Sequence, residues 1–116
     1  MKELVVIIRP EHLETLKSIL DDNGCGGMTV TTAMGCGTQK GTTADLVSEV
    51  RGFKMSVNLL PKMQASVVVK DEDVDAILLA IRERIADGRV GDGKVFVKDI
   101  VDAMRIRTGE RGEAAL

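Results

Sequence analysis

Aromatic residues are almost missing from this chain, which has no Trp, no Tyr and only Phe53 and Phe96. Stacking platforms of the kind that grip single-stranded nucleic acid are therefore absent. An excess of positive charge is missing as well, because 16 Lys+Arg face 18 Asp+Glu for a formal net charge of −2. Without a broad positive field, direct nucleic-acid binding is excluded as the main function. Apolar stretches such as Leu4 to Ile8 and Ser66 to Val69 are far too short to cross a bilayer. The N-terminus opens with Lys2 and Glu3 and carries no apolar signal core. A cytoplasmic protein with no direct membrane insertion is expected.

Catalytic and metal-binding groups are also scarce. The two cysteines, Cys25 and Cys36, do not form a CxxC pair, and His12 is the single histidine. No zinc tetrad can be assembled from them. Each Cys is expected to behave as a small buried apolar residue, and a disulfide between them would be unusual in a reducing compartment. No Ser/His/Asp set or acid–base pair can be built around His12, so the residues favour binding over turnover and the protein is not expected to be an enzyme.

What is present suits one domain spanning residues 1–116, with 44% hydrophobic residues to form its core. Leu4 to Arg9 reads as a strand that stops at Pro10. From Glu11, the stripe Leu13, Leu16, Ile19 and Leu20 predicts a helix that ends at Asn23-Gly24. Met28 to Met34 reads as a second strand. Between Gly35 and Leu60 the pattern fails, which predicts a long loop with strand character at its two ends, and a loop of that length suggests a role. Met63 to Lys70 is a third strand. Asp71-Glu72-Asp73 opens a second helix faced by Val74, Ile77, Leu78, Ile81 and Ile85, with Gly88 as its stop. Val95-Phe96-Val97 is a fourth strand, followed by a short helical turn near Ile100 to Ala103. The order predicts an α+β, ferredoxin-like βαββαβ fold with both helices on one face. The other sheet face would be bare, so association between copies is expected.

Three segments carry chemistry. Gly91-Asp92-Gly93-Lys94 combines glycines that allow close backbone approach with an amine suited to phosphate, although on spacing alone a plain helix-to-strand turn with a solvated lysine is the simpler reading. It lacks the spacing of a Walker A loop. Arg105-Ile106-Arg107, if extended, places both guanidiniums on one side, ready for an anion or matched to Glu110 or Glu113. Gly35 to Gly41, with Gln39 and Lys40, offers glycine hinges and donors for a carboxylate or phosphate. Together with Arg9 and Lys62 at strand ends, these segments point to a small anionic ligand.

In that order along the chain, Ile7-Ile8-Arg9-Pro10, Gly27-Met28-Thr29-Val30, Gly35 to Gly41, Leu60-Pro61-Lys62, Gly91 to Val97 and Arg105 to Glu110 resemble the PII signal-transduction family of nitrogen regulators. The resemblance covers nearly the whole chain. It implies a homotrimer that binds ATP or ADP in clefts between neighbouring subunits. By motif, Gly91, Asp92, Gly93 and Lys94 would wrap the phosphates, and Arg105 and Arg107 would reach them. Gly35, Gly37, Thr38 and Gln39 would form the other wall, with Ile7 and Val68 near the nucleotide and Thr29 reading the adenine. The effector 2-oxoglutarate would bind beside MgATP through Arg9, Gln39, Lys40, Gly41 and Lys62, and Gln39 would help hold the Mg. The segment of about 38–58 would be the mobile effector loop, and about 105–116 a C-terminal tail.

This sequence departs from the family pattern at two places. Thr38 stands where the family usually has Arg, so one phosphate contact is lost or replaced. The loop is longer than in common bacterial members and has no Tyr, which excludes tyrosine uridylylation and leaves Ser48 as a candidate modification site. Such a loop is similar to the nitrogenase-linked branch. The resemblance implies control of a nitrogen-metabolism target such as glutamine synthetase, nitrogenase, an ammonium channel or a transcriptional regulator. The alternative is a CutA-type structural or metal-binding trimer, which shares the architecture but not these motifs.

Overall fold

The first strand, β1 (Lys2–Ile8), alternates as a half-covered strand should: Leu4, Val6 and Ile8 are buried on one side of the pleat. The computed structural model describes residues 1–37, 47–50, 53–56 and 59–116, the two short middle segments through their backbone. Pro10 cannot extend β1, and its fixed φ starts a single 3-10 turn, Pro10–His12, that feeds α1 (Leu13–Asp22). Leu16, Ile19 and Leu20 form the buried stripe of α1. Its end is closed by the Asn23 side chain, which donates to the Ile19 carbonyl at 2.8 Å, and by Cys25 N–H donating to the Leu20 carbonyl at 2.9 Å.

β2 (Thr29–Gly35) pairs with β5 (Leu60–Val69), β5 with β1, and β1 with β6 (Lys94–Asp99), all antiparallel, in the order β2-β5-β1-β6. α2 (Val74–Arg84) follows the acidic 3-10 turn Asp71–Asp73 and buries Ile77 and Ile81. This is the expected βαββαβ arrangement. Leu4, Val6, Ile8, Ala65, Val67 and Val69 from the sheet meet Leu16, Ile19, Leu20, Ile77, Ile81 and Ile85 from the helices in one core. Arg84 joins the helices by donating to Asp22 and Ser18, both at 3.1 Å. No helix among the described residues is long and apolar enough to cross a membrane.

The opposite sheet face is more mixed than composition suggests. By register it presents Val5, Ile7, Val68 and Phe96 between Glu3, Gln64, Ser66, Thr29, Thr31, Lys94 and Lys98, and Ser66 donates to Glu3. Most Val and Ile side chains lie on the helix side.

Three sequence expectations change. Within 38–58, β3 (Val47–Val50) and β4 (Phe53–Ser56) pair as an antiparallel hairpin, with Val47 opposite Ser56 and Val50 opposite Phe53, so strand structure is not confined to the segment's ends. The second helix stops at Arg84, short of Gly88, because Asp92 captures the N–H groups of Asp87 and Gly88 at 3.1 and 3.0 Å. There is no helical turn at 100–103. Asp102 takes the N–H of Ala103 at 2.8 Å and of Gly112 at 3.2 Å, the local competition by which Asp side chains displace helix hydrogen bonds. The tail instead bridges Met104 to Arg111 and ends in the 3-10 turn Gly112–Ala115.

Candidate functional site

Antiparallel pairing brings four segments, distant in sequence, to one end of the sheet. The C-terminal ends of β1 and β2 and the N-terminal ends of β5 and β6 converge there. They enclose a cavity of about 460 Å³ lined by Ile7, Gly35, Cys36, Gly37, Leu60, Lys62, Gly91, Gly93, Lys94 and Phe96. Ile7, Lys94 and Phe96 share the open face, since Ile7 pairs with Lys94 and Val5 with Phe96. The lining is glycine backbone, two amines and an apolar wall, which suits a ligand with an anionic end and a flat apolar part.

The turn after α2 is held from below. Arg9 is buried at the end of β1 and donates to Asp92 Oδ1 and to the Val90 carbonyl, both at 2.7 Å. Lys62, also buried, donates to the Gly91 carbonyl at 2.7 Å. Burial pushes the Lys62 amine below its ordinary value, and the Arg9 guanidinium pushes the same way against Asp92 and Glu11. Asp87 closes the outer side by accepting from Arg89 Nε at 2.7 Å, and that guanidinium holds the Asp87 carboxyl well below the usual carboxylate range. Gly93 has φ +111, and a Cβ there would meet the Ile7 carbonyl oxygen at 1.8 Å. The turn can press this closely on β1 only as glycine.

Of the nucleotide set, Ile7, Gly35, Gly37, Gly91, Gly93 and Lys94 meet in this cavity, and Lys62 of the 2-oxoglutarate set joins them. Asp92 and Arg9 do not line it, because their charged groups face each other behind the turn. Thr38, Gln39, Lys40 and Gly41 lie outside the described residues, as does the side chain of Ser48. The cavity also holds Cys36, Leu60 and Phe96, which the site reading left out. Phe96 was within reach, since strand alternation puts it beside Lys94. Cys36 is exposed, unlike a small buried apolar residue, and both cysteines are unpaired.

The remaining residues sit at the other end of the sheet. Val68 and Arg105 line a second cavity with Gly24 to Gly27, Lys70 and the tail, and Thr29 opens β2 nearby. Val68 pairs with Glu3, four residues along β1 from Ile7, so Ile7 and Val68 are about 13 Å apart at the usual strand rise. One nucleobase cannot touch both within one chain. Arg105 and Arg107 are not on an extended strand: Gly109 N–H donates to the Arg105 carbonyl at 2.7 Å and closes a turn over 106–108. Arg105 pairs with Glu110 at 3.3 Å and donates to the Leu116 carbonyl at 2.9 Å, while Arg107 is exposed. No cluster of three or more His, Cys, Asp or Glu among the described residues could hold a metal ion.

Comparison with known proteins bears on this arrangement. The pattern of the family described as nitrogen regulatory protein P-II matches residues 1–110. The chain is 46% identical over 116 residues to nitrogen regulatory protein P-II 2 of Methanothermobacter thermautotrophicus, covering 100% of this chain and 97% of the relative. It is 43% identical to nitrogen regulatory protein P-II of Rhizobium meliloti and 44% identical to that of Pasteurella multocida, each over the full length of both chains.

Proposed function

The chain belongs to the P-II family of nitrogen regulatory proteins, and from that premise we propose that it is a homotrimeric sensor of ATP, ADP and 2-oxoglutarate. One observation carries this reading. A glycine-lined cavity with Lys62 and Lys94 lies at one end of the sheet, and Thr29, Val68 and Arg105 lie at the other. The two sets form one nucleotide site only when two copies meet, each supplying an opposite end. The amine of Lys94 and the turn around Gly91 and Gly93 receive the phosphates. Ile7 and Phe96 offer apolar surface to the base from one copy, and Thr29 and Val68 flank it from the next. Arg105 exchanges Glu110 for phosphate, and Arg107 adds a second guanidinium.

Gln39 would help hold a magnesium ion, which would supply neutralising charge for the phosphates, and a 2-oxoglutarate carboxylate would lie beside them. Lys62 then pairs with the other carboxylate, and Gln39, Lys40 and Gly41 complete that site. The segment of about 38–58 starts at this cavity, so ligand state there selects which target of nitrogen metabolism it engages. A decisive switch needs roughly 10⁴-fold preference of the ligands for one state over the other.

Calorimetry with MgATP, MgADP and 2-oxoglutarate tests the reading. Lys94→Ala and Arg105→Ala should each abolish tight nucleotide binding, and unfolding and refolding the two variants together should restore a fraction of the sites. Restoration on mixing is the signature of a site shared between copies. No nucleotide binding by the unaltered protein, or a monomer in sedimentation, refutes it.

A further inference from the structure

We propose that Arg9 and Asp92 form a brace that shapes the phosphate-binding turn and that neither touches ligand. The proposal rests on the nucleotide reading above and corrects the roles motif transfer implies for the two residues, one as a 2-oxoglutarate ligand and the other as a phosphate ligand. Arg9 is among the few charged side chains buried in the described structure, and it leaves β1 two residues after Ile7, whose carbonyl oxygen Gly93 packs against. Its guanidinium uses two separate N–H groups on two points of the turn, Asp92 Oδ1 and the Val90 carbonyl, both at 2.7 Å. A planar fork presents its N–H groups to two separated acceptors in a fixed geometry, which the compact ammonium of a lysine does not reproduce.

Asp92 is bound at both oxygens. Oδ1 accepts from Arg9, and Oδ2 accepts from the N–H groups of Asp87 and Gly88 at 3.1 and 3.0 Å. The same carboxylate therefore ties the turn to the end of β1 on one side and to its own first residues on the other. Flanking it, Gly91 (φ +94) and Gly93 (φ +111) have backbones that would be free to reorient if nothing fixed the residue between them. The brace selects one arrangement of the Gly91–Lys94 backbone before ligand arrives, and preorganisation of that kind raises affinity without adding a contact.

The brace also brings a third strand end into register with the turn. Lys62, at the start of β5, donates to the Gly91 carbonyl beside the braced residue, and Arg9 lies close enough to depress its amine. Turn geometry is thus set jointly from β1 and β5, and a change at Lys62 reaches the phosphate side through the Gly91 carbonyl. Both charged groups of the brace engage each other, and the cavity is lined by Ile7, Lys62, Gly91, Gly93 and Lys94 among others but by neither Arg9 nor Asp92.

The test is a double-mutant cycle on the full chain with Arg9→Gln, Asp92→Asn and the pair, plus Arg9→Lys. MgATP affinity is measured by calorimetry well below the melting temperature, and 2-oxoglutarate affinity at saturating MgATP. Asparagine keeps the shape of Asp92 but has one acceptor oxygen in place of two. Each single variant should weaken MgATP binding about ten- to a hundredfold, and the double variant no further than the weaker single. Arg9→Lys should recover only part of the loss. Amide exchange at Asp87 and Gly88 should accelerate in both single variants.

Loss of 2-oxoglutarate binding by Arg9→Gln alone, with MgATP affinity kept and Asp92→Asn silent, would make Arg9 a ligand and overturn the proposal. A lowered melting temperature with unchanged MgATP affinity would overturn it too, as would losses that simply add in the double variant. If the unaltered protein binds no MgATP, the nucleotide reading fails separately, and exchange at Asp87 and Gly88 decides the brace: faster in both variants supports it, unchanged in either refutes it.

Discussion

Gly93 gives the sharpest test of how the turn sits on β1. Replacing it with alanine has two costs that can be separated. The first is conformational, since φ +111 is a region that residues with a Cβ rarely adopt, at about 1–3 kcal/mol. The second is overlap, because the new methyl lies 1.8 Å from the Ile7 carbonyl oxygen and 2.9 Å from its carbon, both backbone atoms that no rotamer change can clear. Ordinary carbon–oxygen approach is about 3.3 Å, so the turn must lift by about 1.5 Å. A lift of that size takes at least one of the 2.7 Å contacts from Arg9 and Lys62 past hydrogen-bonding range. Losing one charge-assisted bond of this kind costs about 1.5–3 kcal/mol.

Gly93→Ala should therefore cost about 3–6 kcal/mol, a large share of a marginal total of about 5–15 kcal/mol. Gly88→Ala is the control: its φ is +83, but nothing lies within 4 Å of the added Cβ. It carries the conformational cost alone, about 1–3 kcal/mol. For a chain of this size, at about 4 °C per kcal/mol, the melting temperature should fall by about 12–24 °C for Gly93→Ala and about 4–12 °C for Gly88→Ala. Both are read by scanning calorimetry at matched protein concentration, because assembly shifts the midpoint. Equal drops in the two variants, or Gly93→Ala binding MgATP like the unaltered protein, would refute the close packing of this turn.

Other outcomes follow from single residues. Lys62 should titrate below 10.5 by NMR of methylated amines, because burial and Arg9 disfavour its charge. With its folded value below 10.5, protonation opposes folding, so its contribution to stability should rise as pH climbs through that folded value towards 10.5. A Lys62 titration at or above 10.5 would contradict this. Asp102 is held below its ordinary value first by the Arg111 guanidinium and then by Ala103 N–H. Its contribution should be intact above pH 3.8 and fade as pH falls through the lower folded value, and Asp102→Asn should accelerate amide exchange at Ala103 and Gly112 at neutral pH. Unchanged exchange at both amides would exclude that role. Leu16 is fully buried between the helices and the sheet, so Leu16→Ala should cost about 2–5 kcal/mol in urea unfolding. A cost under about 1 kcal/mol would place the core elsewhere.

Much of the fold was legible because local periodicity and burial agree. The stripe Leu13, Leu16, Ile19 and Leu20 and the alternation in Leu4 to Ile8 each point to one face, and those faces meet in the core. The hairpin of β3 and β4 was hidden, since four-residue strands are too short for alternation to stand out beside Gly41 and Gly52. Residues 100–103 read as a helical turn in the sequence, whereas Asp102 forms contacts with residues up to ten positions away, which no local pattern records. The glycine turn was legible as a ligand candidate, whereas the mutual engagement of Arg9 and Asp92, 83 residues apart, was not.

Sequence alone determined which residue types are available: glycines that let backbone approach a ligand, with amines and guanidiniums for an anion. It also set the order of strands and helices, because hydrophobic periodicity acts over a few residues. Only the tertiary structure decided which charges face the cavity and which neutralise each other, and that Ile7 and Val68 stand at opposite ends of one sheet. The physical reason is that strand register, not nearness along the chain, sets which side chains become neighbours.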